Sequence, residues 1–155
     1  MHEYEHDMGR VVAWKELEER ITKQHTLQGN LFRSQAMQRL YNQHRLHSQK
    51  HYATYVDFLK ISLFGFGSSL NEQGMISAYK TRMSKTYVFI ENRFPYNVRK
   101  GIRHSMIFAV DILPHEMVDE IIADNLPKTA KVVWYINDPS VMSIPDIWHC
   151  HVFWK

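Results

Sequence analysis

The spacing of apolar residues changes once along this chain, and that change limits what the chain can fold into. Ahead of the run G-F-G-S-S-L-N-E-Q-G (Gly65 to Gly74), apolar residues recur three or four apart; beyond it they come in short β-branched or aromatic runs. The first spacing marks one face of a helix, the second marks strands. Trp14, Leu17 and Ile21 predict a short amphipathic helix from Trp14 to about His25, ended by T-L-Q-G-N. Ser34 in L-F-R-S-Q-A-M-Q is placed to cap the next helix, on which Met37, Leu40, Tyr41 and His44 share a face. The stretch H-Y-A-T-Y-V-D-F-L-K-I carries Tyr52, Tyr55, Val56 and Leu59 at similar spacing, so the first half is helical. The glycines, serines and asparagine from Gly65 to Gly74 predict a loop between two layers.

Beyond that loop, Thr86 to Asn92, Arg103 to Asp111, Lys131 to Asn137 and Ile147 to Trp154 predict four strands, each bounded by turn-forming residues. Between the second and third, Pro114 suits a first helical turn, and Met117, Ile121 and Ile122 can face inward. The predicted class is α+β: helices first, then a mostly antiparallel sheet crossed by one helix. The 155 residues, 45% of them hydrophobic, suit one domain with one real core. Within it the sequence predicts a flexible stretch over 1–10, a helical part over 11–64, a loop and connector over 65–85, and a sheet part over 86–155.

A lone cysteine, Cys150, cannot form an internal disulfide, and no N-x-S/T site occurs. The acidic start M-H-E-Y-E-H-D-M-G-R is neither signal nor transit peptide, and no run approaches the ~20 apolar residues of a membrane span. An intracellular protein, cytoplasmic or nuclear, is expected, with no membrane partner. The net charge of +3 hides blocks: Arg33, Arg39 and Arg45 belong to a basic first third, and Arg93, Arg99, Lys100 and Arg103 to a second. Such blocks attract phosphates, though for the first a solvated helical face is the simpler reading.

The strand I-W-H-C-H-V-F-W puts Trp148, Cys150, Val152 and Trp154 on one face and Ile147, His149, His151 and Phe153 on the other. The first set reads as core. Burying both imidazoles would require partners for four ring nitrogens, whereas a cleft needs only water or ligand. Three readings compete: a nucleophile and its neighbour in phosphoryl or nucleotidyl transfer, two metal ligands, or a purely structural pair. The metal has least support, because Cys150 points away and only His104 or His115 stands nearby as a further ligand. His44, His47 and His51 share a helical face, but Arg45 and Lys50 repel a cation there. No metal or other cofactor is expected.

The ordered motifs V-A-W-K-E-L-E-E-R-I, L-F-R-S, Y-A-T-Y-V-D-F-L, E-N-R-F-P-Y-N-V-R-K-G-I-R-H-S-M-I-F, W-Y-I-N and H-C-H-V resemble the fungal N-acetylglucosamine-induced protein family, a domain of unknown function, from Val12 to Trp154. The second half is also similar to the histidine-triad superfamily of nucleotide hydrolases and transferases, through I-E-N-R-F-P, the strand from His104, Y-I-N and W-H-C-H-V-F. Carried over by position, that likeness implies His151 as the attacking histidine, His149 as its helper, Asn92 as a ribose contact and Asn137 as a phosphate-side contact. With Arg93, Arg99, Lys100 and Arg103 of the basic turn, and with His104 and Ser143, these form the expected ligand-binding set. The chain departs from the pattern where Phe153 replaces a third polar residue and where Pro139 and Pro145 interrupt a loop that is glycine-rich in the nucleotide enzymes. Losing that polar group removes a donor from leaving-group protonation, which puts catalysis in doubt.

The expected function is binding, or histidine-dependent hydrolysis or transfer, of a phosphorylated small molecule such as a nucleotide or nucleotide sugar. The competing expectation is a non-catalytic interaction or regulatory module whose helical half docks a protein. Nucleic acid fits less well, since no zinc-finger or single-stranded-RNA motif accompanies the basic and aromatic residues, and the sequence leaves self-association open.

Overall fold

The computed structural model describes residues 9–138, 142, 144 and 146–155. Among these residues four helices come in chain order as α1 (Trp14–Arg20), α2 (Gln35–Gln49), α3 (Tyr55–Phe64) and α4 (His115–Asn125). The strands are β1 (Gly67–Leu70), β2 (Ile76–Tyr79), β3 (Tyr87–Glu91), β4 (Arg103–Ala109), β5 (Val132–Tyr135) and β6 (Trp148–Trp154). β1 and β2 form an antiparallel hairpin, and the other strands form an antiparallel sheet in the order β3-β4-β6-β5. The chain is α+β.

Local chemistry sets the helix ends. The Ser34 hydroxyl accepts from Met37 N at 3.2 Å, so α2 starts where its sequence puts a cap. Thr54 caps α3 in the same way, accepting from Asp57 N at 3.1 Å and donating to Asp57 Oδ2 at 2.6 Å, while Asp57 Oδ1 accepts from Ala78 N of β2 at 2.8 Å. Gly65 ends α3 with φ 70°, a left-handed conformation that a side chain would strain. α1 is shorter than its apolar spacing suggests. It stops at Arg20, and the chain doubles back through an Ile21–Leu27 bridge, with His25 at φ 61°. Pro114 is the N-cap of α4, one position before the first turn.

Three expectations are corrected. Residues 65–74 are not all loop, because Gly67–Leu70 pairs with Ile76–Tyr79; the segment G-S-S-L has no β-branched or aromatic residue to announce a strand. Leu40 does not join the buried face of α2 and is 52% exposed. Tyr52 lies ahead of α3 rather than on it.

The sheet has two covered faces. On one, Ile107, Trp134, Cys150 and Val152 pack against Val118, Ile121 and Ile122 of α4. On the other, two separate clusters form. Tyr135 and Phe153 pack with Trp14 and Leu17 of α1, and Met106, Phe108 and Ile147 pack with Leu59 and Phe64 of α3. The register places His104 opposite Phe153, Met106 opposite His151, and Phe108 opposite His149. The three histidines therefore stand on the helix-covered face, along the seam between its two apolar clusters.

Candidate functional site

Because β6 is an interior strand, its alternation is enforced by ladders on both sides, and His149 and His151 project to the same face as the sequence requires. His104 joins them from β4. All three are buried, at 3% exposure for His104 and His149 and 4% for His151. Their rings are held in stacks: His151 lies against Tyr135 (4.9 Å, 13°) and Tyr96 (5.1 Å, 22°), and His104 against Phe153 (4.3 Å, 20°).

Burial keeps these imidazoles neutral. It drives His104 down to about 3, with the Arg33 charge acting in the same direction. Burial also holds His151 well below the usual histidine range, helped by His104, His149 and Arg33, and it lowers His149 against an opposing pull from the Ile147 carbonyl.

Their hydrogen-bond partners then fix where each proton sits. Tyr96 N–H donates to His104 Nδ1 at 3.2 Å, so a neutral His104 carries its proton on Nε2. That atom is 2.9 Å from His151 Nδ1 and donates to it. The His151 proton is thereby placed on Nε2, which faces the side-chain amide of Asn137 at 3.2 Å. The amide must turn its oxygen toward that N–H, an exchange of two atoms of nearly equal size. His149 is set differently. Its Nδ1 lies 2.8 Å from the Ile147 carbonyl, which can only accept, so the proton is on Nδ1 and the lone pair on Nε2. No hydrogen bond to His149 Nε2 is seen among the described residues. Among the described residues, both ring nitrogens of His151 are engaged and one of His149 is.

A cavity of about 140 Å³ opens beside this group, lined from the sheet by His149, His151, Met106 and Phe108 and from the helices by Tyr41, His44, Tyr55 and Phe58. Arg33, Asn92 and Arg93 also line it. The half-buried Arg33 guanidinium lies 4.0 Å from the Tyr41 ring centre and 5.2 Å from that of Tyr96. Its Nε donates to the Phe94 carbonyl at 2.7 Å, and among the described residues it forms no salt bridge. Glu91, the acid in the lining, is bound to Arg103 at 3.0 Å. Burial raises the Tyr55 hydroxyl to about 12, so this phenol stays protonated.

The expected set is divided by the fold. His149, His151, Asn92 and Arg93 line the cavity, and Asn137 reaches it through His151. Arg99, Lys100, Arg103 and His104 line a second hollow of about 300 Å³, which also takes in Tyr96 and Asn92. The basic turn thus does not act as one unit: Arg93 lines the cavity from an exposed position, while Arg103 is held by Glu91 and lies 4.9 Å from the Trp154 ring. Asn92 accepts from Phe94 N at 2.8 Å, which shapes the turn. Ser143 lies outside the described residues, as do Pro139 and Pro145. Phe153 is fully buried in the α1 cluster. His44 lines the cavity, and α2 ends at Gln49, ahead of His51. Among the described residues no group of three or more histidine, cysteine, aspartate or glutamate side chains could hold a metal ion.

Sequence reasoning missed Arg33, Tyr41, Tyr55 and Tyr96. One signal was available for Arg33: a cation just before a helix N-terminus is the wrong sign for the helix dipole, which favours anions there.

Among solved structures, the crystal structure of HTC1 is similar over 92% of this chain and 84% of that one, at 19% identity and a TM-score of 0.56. This likeness concerns the fold. Among curated proteins, "Uncharacterized protein YPL067C" of Saccharomyces cerevisiae is 25% identical over 127 residues, which is 70% of this chain. The match spans 64% of that relative's length. No helix among the described residues is long and apolar enough to cross a membrane. A family model covers residues 13–121, from α1 through most of α4: the chain belongs to the family described as "Protein of unknown function (DUF3605)".

Proposed function

We propose that the chain binds a phosphorylated small molecule in the cavity between the histidine face of the sheet and helices α2 and α3. The observation that carries this reading is Arg33, a half-buried guanidinium with no salt bridge among the described residues, set over Tyr41 and Tyr96 beside neutral imidazoles. A cation sheltered from water in this way calls for an anion, and a planar guanidinium suits phosphate oxygens. Arg93 adds a second charge on the same cavity. The likeness of the sequence to the histidine-triad superfamily supports a phosphate-bearing ligand. The setting we infer is intracellular, cytoplasmic or nuclear.

Turnover is the second reading, favoured by the available lone pair on His149 Nε2. Attack there would form an N–P bond and expel a leaving group that needs a proton, and the position able to supply one holds Phe153. Binding without turnover therefore fits the geometry better. If transfer does occur, His149 is the reacting ring and His151 positions it, the reverse of the roles that the alternating-histidine likeness implies.

The test is a thermal-shift and calorimetric screen of phosphate, sugar phosphates, nucleotides and nucleotide sugars, followed by turnover assays of any binder. A saturable ligand lost on Arg33→Gln is expected; no binding by any phosphate compound would reject the reading. If turnover is seen, His149→Asn should abolish it and His151→Asn should only reduce it.

A further inference from the structure

Resting on that reading, we propose that the ligand is a monophosphate built on a single flat ring, with the ring against the aromatic wall of the cavity and the phosphate on Arg33 and Arg93. The second ring system of a nucleotide or nucleotide sugar finds no room inside it.

Size gives the first constraint. The cavity holds about 140 Å³. A cavity of ~150 Å³ accommodates one benzene molecule, so the space takes one ring and leaves the phosphate at its open mouth, where the exposed Arg93 stands, whereas a nucleoside adds a second ring system.

The wall gives the second. His44 lies 5.0 Å from Phe94 and 5.2 Å from Phe58, Tyr41 lies 5.5 Å from Phe94, and Tyr55 stacks on Phe58 at 5.7 Å. Such a sheath of rings meets a flat ring with stacked or edge-on contacts, and gives the several hydroxyls of a free sugar few partners. Asn92, Ser62 and the His149 lone pair supply the few polar contacts that fix an orientation.

Charge gives the third. The imidazoles are neutral and Glu91 is engaged with Arg103, so Arg33 and Arg93 are left to face the phosphate. Arg45 is occupied in part by Tyr41, donating to its hydroxyl at 3.0 Å, and stacks on Tyr55 at 4.1 Å. Two guanidinium groups match the near-double charge of one phosphate monoester and leave nothing for a di- or triphosphate.

The experiment titrates the full chain by calorimetry with phenyl phosphate, inorganic phosphate, adenosine monophosphate and uridine diphosphate glucose. Phenyl phosphate is expected to bind at least tenfold more tightly than each of the others. Arg33→Gln should weaken it tenfold or more. Ser62→Trp, on an exposed position lining the cavity, should block it while thermal unfolding stays unchanged. If a nucleotide binds as tightly as phenyl phosphate, the one-ring limit is overturned while phosphate recognition stands. If no compound binds, phosphate recognition itself fails. If phenyl phosphate binds both variants as it binds the parent chain, it sits elsewhere and the assignment to this cavity is overturned.

Discussion

Acidification from pH 7.5 to 5 is expected to destabilise the fold through the buried imidazoles. An unfolded histidine titrates near 6.5, whereas burial holds His104 at about 3 in the folded chain. As the pH falls below 6.5 the unfolded state takes up protons that the folded state refuses, so the unfolded state gains. The slope is about 1.4 kcal/mol per pH unit for each imidazole kept neutral, and it persists until the folded value is reached. Between pH 6.5 and 5 His104 alone removes about 2 kcal/mol of stability. His151 is displaced in the same direction by the same burial and adds to this loss, which is set against the 5–15 kcal/mol typical of a domain. His149 adds to it. Glu16, held low chiefly by its hydrogen bond from Arg10, gives up its contribution only at lower pH. Urea unfolding followed by tryptophan fluorescence at pH 7.5, 6 and 5 measures the slope, and His104→Gln, which cannot titrate at that position, should reduce it by about 1 kcal/mol per pH unit between pH 6 and 5. A midpoint that holds constant from pH 7.5 to 5, or an unaltered slope in the variant, would refute the assignment of neutral buried rings.

Two further outcomes are expected. Cys150 is fully buried, and burial pushes its thiol up to about 12, so the folded protein should resist alkylation at pH 8 and label only in urea, as read by intact mass. Ser34→Ala should cost about 1 kcal/mol in urea unfolding by removing the cap of α2, and should weaken ligand binding because it loosens the turn that carries Arg33.

The alternation of β6 was legible because its two faces differ so sharply in chemistry: tryptophans, cysteine and valine against histidines and phenylalanine. The cap at Ser34, the apolar face of α4 and the four strands of the main sheet could be read for similar reasons, since each is a local pattern. What escaped is what depends on partners distant in sequence. His104 stood in the expected set, but its hydrogen bond to His151 exists only because β4 pairs with β6, and no spacing within one strand reports that bond. Arg33 looked like one cation in a wet basic block until the turn bearing Phe94 folded over it and bound its Nε. The β1–β2 hairpin was hidden by small residues whose pairing is fixed across the turn at Asn71, whose side-chain oxygen accepts from Gln73 N and Met75 N at 3.0 and 2.9 Å.

The place of β6 between β4 and β5 has a kinetic consequence. Both neighbours precede it in the chain, so until residues 148–154 exist β4 has a partner only in β3 and β5 has none in the sheet. Closure must wait for a segment that inserts between two waiting edges, a long-range and therefore slow step. A growing chain would spend that interval with aromatic strand edges unprotected, the condition in which chaperones are most needed.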